Sequence, residues 1–185
     1  MKTLRLLAAT GALLMLARGG SACIEELDLA KMVAKTDVAV SGVVTGVRTV
    51  RYVPPGDDRL IYTLVTIEGT DLYTGRPRTI EAAFLGGTYQ GDSMMVTSMP
   101  APSEYEVGKH VVAFSAPVEG WGPDVDRCLY AAMGGIFRVI DTRRGPVVLG
   151  KGEGFAISEN VRLADLQVQI TRELMKRERG SQEGR

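Results

Sequence analysis

The chain has 185 residues, 45% of them hydrophobic and 24% charged, with 22 basic and 22 acidic side chains. That length and balance suit one domain with a core of its own, with no need for a metal or a dense disulfide framework. No basic stripe of the kind a nucleic-acid surface needs is present, and one histidine with two cysteines leaves too few ligands for a structural zinc site.

Lys2 and Arg5 precede a nearly uncharged run, residues 6–17, and the small residues Gly19, Gly20, Ser21 and Ala22 follow. A charged start, a short apolar run and a small-residue end form the layout of a secretory signal peptide. The run is shorter than the ~20 residues a membrane span needs. Residues 1–22 are therefore expected to be removed on export to the periplasm or beyond, although Arg18 is an unusual neighbour for a cleavage site. Cleavage after Ala22 makes Cys23 the first mature residue. Gly20-Ser21-Ala22-Cys23 also approaches a bacterial lipobox, departing from it at Gly20, and lipidation of Cys23 would tether the protein to a membrane. Loss of residues 1–22 takes Lys2, Arg5 and Arg18 and no acid, so the mature chain is mildly acidic.

Residues 24–35 predict a short helix, with Leu29, Met32 and Val33 at helical spacing. From Asp37 the texture changes, and Val38, Val40, Val43, Val44, Val47 and Val50 predict a long strand bulged at Gly42 or Gly46. Pro54-Pro55-Gly56-Asp57-Asp58 is a turn, and residues 60–73 a second strand with Ile61, Thr63, Val65 and Ile67 on one face. Thr74-Gly75-Arg76-Pro77 turns into a third strand, residues 78–85, and residues 86–92 are too rich in glycine for a regular element. Residues 94–99 read as a short strand ended by Pro100 and Pro102, and residues 109–115 as another. Two more, 128–133 and 136–140, break at Gly134-Gly135, and Arg143-Arg144-Gly145-Pro146 turns into Val147-Val148-Leu149. Helical spacing returns in Leu163, Leu166, Ile170 and Leu174, with Ser158 or Asn160 as the cap and Lys176, Arg177 and Arg179 near the end. Residues 180–185 are expected to fray.

Six or seven short strands between two helices predict a mainly β domain over residues 23–179. The expected architecture is an OB-like antiparallel barrel of about six strands, with a short N-terminal helix and an amphipathic C-terminal helix. A β-sandwich is the second architecture. Val40, Val65, Phe114 and Phe137 are expected in the core.

No catalytic, metal or cofactor set is legible. The one histidine, His110, lies on a strand, and no G-x-S-x-G nucleophile motif accompanies it. Gly150-Lys151-Gly152-Glu153-Gly154 lacks the strand–helix setting of a nucleotide loop and reads as a flexible connector. Asp57-Asp58 and Asp124 with Asp126 read as solvated turn residues. Trp121, the only tryptophan, sits between two glycines in a loop, either as a binding anchor or as a cap on one end of the barrel. Cys23 and Cys128 could form a disulfide in an oxidising compartment, the alternative for Cys128 being a small buried hydrophobe.

Two resemblances follow. Ala34-Lys35-Thr36-Asp37, the valine strand 38–47, Gly86-Gly87, Met99-Pro100, Val107-Gly108-Lys109, Val111-Val112-Ala113-Phe114 and Gly135-Ile136-Phe137-Arg138-Val139 resemble the layout of an uncharacterised family of exported bacterial β-domains, with Lys109 where Glu is usual. Cys23, Asp37-Val38-Ala39-Val40 and Ile61-Tyr62 are similar to the netrin-like OB-type domain of tissue inhibitors of metalloproteinases, which carry many cysteines where this chain has two. The second resemblance implies that a disulfide-bonded Cys23 contacts a protease zinc through its free amine and carbonyl. The expected function is an exported, non-catalytic binding module with a protein partner. The alternatives are a metalloprotease inhibitor acting through Cys23, whose partner would be an exported metalloprotease, and a lipid-anchored envelope protein. A hydrolase built on the glycine-rich loops comes last.

Overall fold

The computed structural model describes residues 27–54 and 59–183, the side chains of 181–183 excepted. The expected signal peptide, Cys23 and Asp57-Asp58 lie outside the described residues. Helix α1 (Leu29–Lys35) starts later than the spacing implies, because Asp28 holds extended backbone and its carboxylate accepts the Lys31 N–H at 2.7 Å. That bond satisfies a first-turn donor and fixes where the helix begins.

Strands β1 (Val38–Tyr52), β2 (Leu60–Asp71) and β3 (Pro77–Leu85) form an antiparallel meander. A hairpin follows, β4 (Gly87–Tyr89) and β5 (Asp92–Met94), and then a one-turn helix, α2 (Pro102–Tyr105). Strand β6 (His110–Pro117) returns to pair with β1, and β7 (Arg127–Leu129) lies between β6 and β3. The order β1-β2-β3-β7-β6, with β6 bonded back to β1, closes a five-stranded barrel. Closure removes the free edges that five short strands would otherwise expose. This is the expected OB-like barrel. Its strands are antiparallel except at Ala83 and Cys128, where β3 and β7 run parallel.

Beyond a 3₁₀ turn (Ala132–Gly135), β8 (Ile136–Thr142) continues along the edge of β6 that β7 occupies. Strands β9 (Gly145–Val148) and β10 (Val161–Arg162) extend the sheet, and α3 (Leu163–Glu183) ends the chain. The molecule therefore has two main cores, and β6 serves both. Val111 and Ala113 point into the barrel with Val40, Val65 and Phe84, while Val112 and Phe114 point outward with Phe137 under α1 and α3. Period-two alternation places successive side chains on opposite faces, and here both faces are covered. Val40, Val65, Phe114 and Phe137 are all fully buried, as expected. A third, smaller cluster covers the outer face of β2 and β3, where Tyr62 and Leu64 pack beneath the loop that carries Val125.

Several local expectations change. Of the two bulge positions expected in β1, Gly46 is the one found, with the register shifting between Val44 and Gly46, while Gly42 stays in register opposite Gly69. Residues 86–92 are regular after all: Gln90 and Gly91 both take positive φ, 50° and 90°, the backbone of a tight hairpin turn. The strand expected over 94–99 ends at Met94. Pro102 at the start of α2 and Glu104, whose carboxylate accepts the Ala101 N–H at 2.9 Å, make a helical turn where a break was expected. The strand expected over 128–133 stops at Leu129, because Ala131 and Ala132 adopt left-handed backbone at φ 57° and 49°. Neither Ser158 nor Asn160 caps α3; Asn160 accepts the Gly150 N–H instead, and α3 runs past Arg179 to Glu183.

Candidate functional site

One cleft lies beside Leu27. It has a volume of about 900 Å³ and is walled by Leu27, Met133 and Phe155, with Thr97, Ser98 and Glu153 around them. The Leu27 N–H donates to the Gly154 carbonyl at 3.2 Å, and the Met133 N–H to the Ser98 carbonyl at 2.9 Å. The first bond ties Leu27 to the 150–154 segment and the second ties the β5–α2 loop to the 3₁₀ turn, and all four segments line the cleft. A second cleft of about 510 Å³ shares Met133 and Phe155 with the first and reaches Glu104 and Lys151.

Lys151 organises this region. Its Nζ lies 2.6 Å from Glu104 Oε1 and donates to the Met133 carbonyl at 2.5 Å, with the rings of Phe137 and Phe155 at 5.3 and 5.9 Å. Both partners of the ion pair are largely buried, at 15% and 14% side-chain exposure. The 150–154 segment is therefore a pinned loop and not the flexible connector expected: Lys151 and Gly152 donate to the Ile157 and Ser158 carbonyls, each at 3.0 Å. Gly150 permits this, since a Cβ there would come within 2.6 Å of the Glu159 backbone nitrogen. Replacing Glu104 with Gln should cost roughly 2–3 kcal/mol, because it leaves a buried ammonium without its counter-charge. Urea unfolding checks this, and Glu104→Gln combined with Lys151→Met should cost less than the two single changes added together.

The other candidates fall elsewhere. His110 Nε2 is 3.1 Å from Ser41 Oγ, in a separate groove of about 500 Å³ beside the first turn of α3. A nucleophile and a base stand at that distance in hydrolases, but among the described residues no carboxylate is bonded to the imidazole to orient it. Trp121 is half-buried and stacked on Tyr62, ring centroids 4.9 Å apart, so it packs on the outer side of β2. Tyr105 of α2 packs edge-on against the barrel residue Phe84 at 5.1 Å, the contact that joins α2 to the barrel core. Asp124 and Asp126 are exposed, and among the described residues no group of three or more His, Cys, Asp or Glu could hold a metal ion.

Cys128 carries a free thiol on β7. Leu129 points into the barrel, so Cys128 points outward. No disulfide is present among the described residues, and Cys23, the expected partner, lies outside them. Burial raises the Cys128 pKa above the ordinary thiol value, a shift partly opposed by backbone hydrogen bonding and by Arg127. The thiolate is the reactive form, so Ellman's reagent at pH 8 should modify the folded protein roughly tenfold or more slowly than the urea-unfolded chain. Equal rates would contradict the burial.

Sequence reasoning missed the Glu104–Lys151 pair. In the sequence Pro102 reads as a break, and nothing local says that a lysine 47 positions after Glu104 folds onto the α2 turn.

Comparison with protein-family models, with curated proteins and with solved structures finds no match to this chain. The two resemblances drawn from the sequence therefore rest on the residues that carry them.

Proposed function

We propose that the mature protein is an exported, non-catalytic binding module that takes an extended segment of a partner protein into the cleft beside its N-terminus. The 900 Å³ cleft is the observation that carries this reading. Apolar walls from Leu27, Met133 and Phe155 supply contact area, and polar groups at Thr97, Ser98 and Glu153 supply orientation. Leu27, which lines the cleft, is four positions after Cys23 in the sequence.

Ser98 is exposed, so Ser98→Trp fills the cleft without disturbing either main core. Panning a random peptide library on the protein should yield apolar-rich binders whose affinity falls roughly tenfold or more with Ser98→Trp. A library that yields no binder, or binders indifferent to that change, overturns the reading. Export is tested separately by N-terminal sequencing and intact mass. The expected first residue is Cys23, a diacylglyceryl mass would mark the lipid-anchored form, and intact Met1 in the cytoplasmic fraction would refute export.

The metalloprotease-inhibitor reading stands second, supported by the OB-like barrel and by the place of Leu27, four positions after Cys23, in the cleft wall. It expects inhibition of an exported zinc protease that is lost when the Cys23 amine is acetylated.

A further inference from the structure

Three of the chain's eight methionines, Met94, Met95 and Met99, are close in sequence, and the fold brings all three to one cleft of about 360 Å³. The cleft lies between the β4–β5 hairpin and the paired Thr49 and Thr63 of β1 and β2. Met95 stands 87% exposed, and Met94 and Met99 are half-buried. Gly86, at φ 108°, shapes the corner: a Cβ there would strike the Met99 sulfur and come within 3.2 Å of the Met94 carbonyl oxygen.

The hydroxyls on this wall are already engaged. Thr63 Oγ1 donates to the Gly86 carbonyl at 2.7 Å and Thr49 Oγ1 to the Thr88 carbonyl at 2.8 Å, while the Thr88 and Ser93 hydroxyls bond each other at 3.0 Å. Among the described residues no carboxylate, imidazole or thiol lines the cleft. Besides the Tyr105 phenol, the remaining donors among its lining residues are neutral, polarizable thioethers. Hard cations such as Mg²⁺ and Ca²⁺ demand oxygen ligands, and a thioether set without anionic groups selects Cu(I).

We propose that Met94, Met95 and Met99 form a binding site for Cu(I). The ion enters and leaves as Cu(I), so no electron moves in the step. The site borders the Leu27–Phe155 cleft in sequence, since Thr97 and Ser98 line that cleft, but the two share no lining residue and the site does not depend on the partner-binding reading.

The test is an anaerobic titration of the purified protein with Cu(I) against bicinchoninate, followed through the methionine methyl resonances in ¹³C NMR. The first equivalent should shift the signals of Met94, Met95 and Met99 together and leave Met32 and Met133 in place. Met94→Leu and Met95→Leu should each weaken binding roughly tenfold or more, as loss of metal-site groups does. Their urea midpoints should stay unchanged, since the swaps keep side-chain volume. Unshifted signals at all three methionines would overturn the site. So would affinity unchanged in both leucine variants but lost in Cys128→Ser, which would place the ion on the thiol.

Discussion

Replacing Phe114 with alanine should lower the folding stability by roughly 3–5 kcal/mol, the range for deleting a buried phenylalanine. Phe114 is fully buried on the outward face of β6 and meets Phe137 edge to face, with centroids 6.3 Å apart and planes at 87°. The same cluster holds Met32 of α1 and Leu166 and Ile170 of α3. Removal of the ring leaves a cavity that three separate elements would have to collapse to fill, and rigid strands restrict that collapse. Urea unfolding monitored by circular dichroism reads the loss. Val47, 38% exposed on β1, is the control, and its change to alanine should stay within about 0.5 kcal/mol. A Phe114→Ala midpoint equal to that of the control would mean that the helices do not pack on β6.

Replacing Gly42 with valine should be at least as damaging, for the opposite reason. Gly42 faces Gly69 across β1 and β2, and a Cβ on Gly42 would lie 2.6 Å from the Glu68 carbonyl carbon and 2.8 Å from the Gly69 Cα. These are backbone atoms of a paired strand and cannot rotate away as a side chain could. The strands must separate just where β1 is also bonded to β6, opposite Val111, so the strain falls on barrel closure itself. A loss of about 3 kcal/mol or more is expected, at the upper end of overpacking costs. Gly46→Ala is the contrast: its nearest neighbour would be the Thr66 hydroxyl at 3.3 Å, a side chain free to shift, and the effect should be small. Thermal unfolding of the two variants side by side separates them, and equal melting temperatures would contradict the close approach of Gly42 and Gly69.

Both arguments rest on strands whose character was legible in the chain itself. The valine series in β1, the alternation in β2 and the apolar run of β6 mark surfaces that must be buried, since residue spacing alone decides which side chains share a face. The count of short strands and the turn signals between them led to the OB-like barrel, and the helical spacing of Leu163, Leu166, Ile170 and Leu174 led to α3. These features are local: they depend on neighbours within a few positions.

Only the tertiary structure decided what each face meets. Val112 and Phe114 could have faced solvent or a second layer, and it is the return of α1 and α3 that makes them core. The left-handed backbone at Ala131 and Ala132, which ends β7, has no local signal, because alanine does not favour that conformation; the surrounding contacts impose it. The hairpin turn at Gln90-Gly91 was hidden in the same way, with glutamine at positive φ held between paired strands. The Glu104–Lys151 pair and the cleft beside Leu27 join segments far apart in the chain. Their formation depends on how the barrel closes, since no spacing rule reaches across closed strands, and so the candidate binding face is a product of the fold and not of any motif.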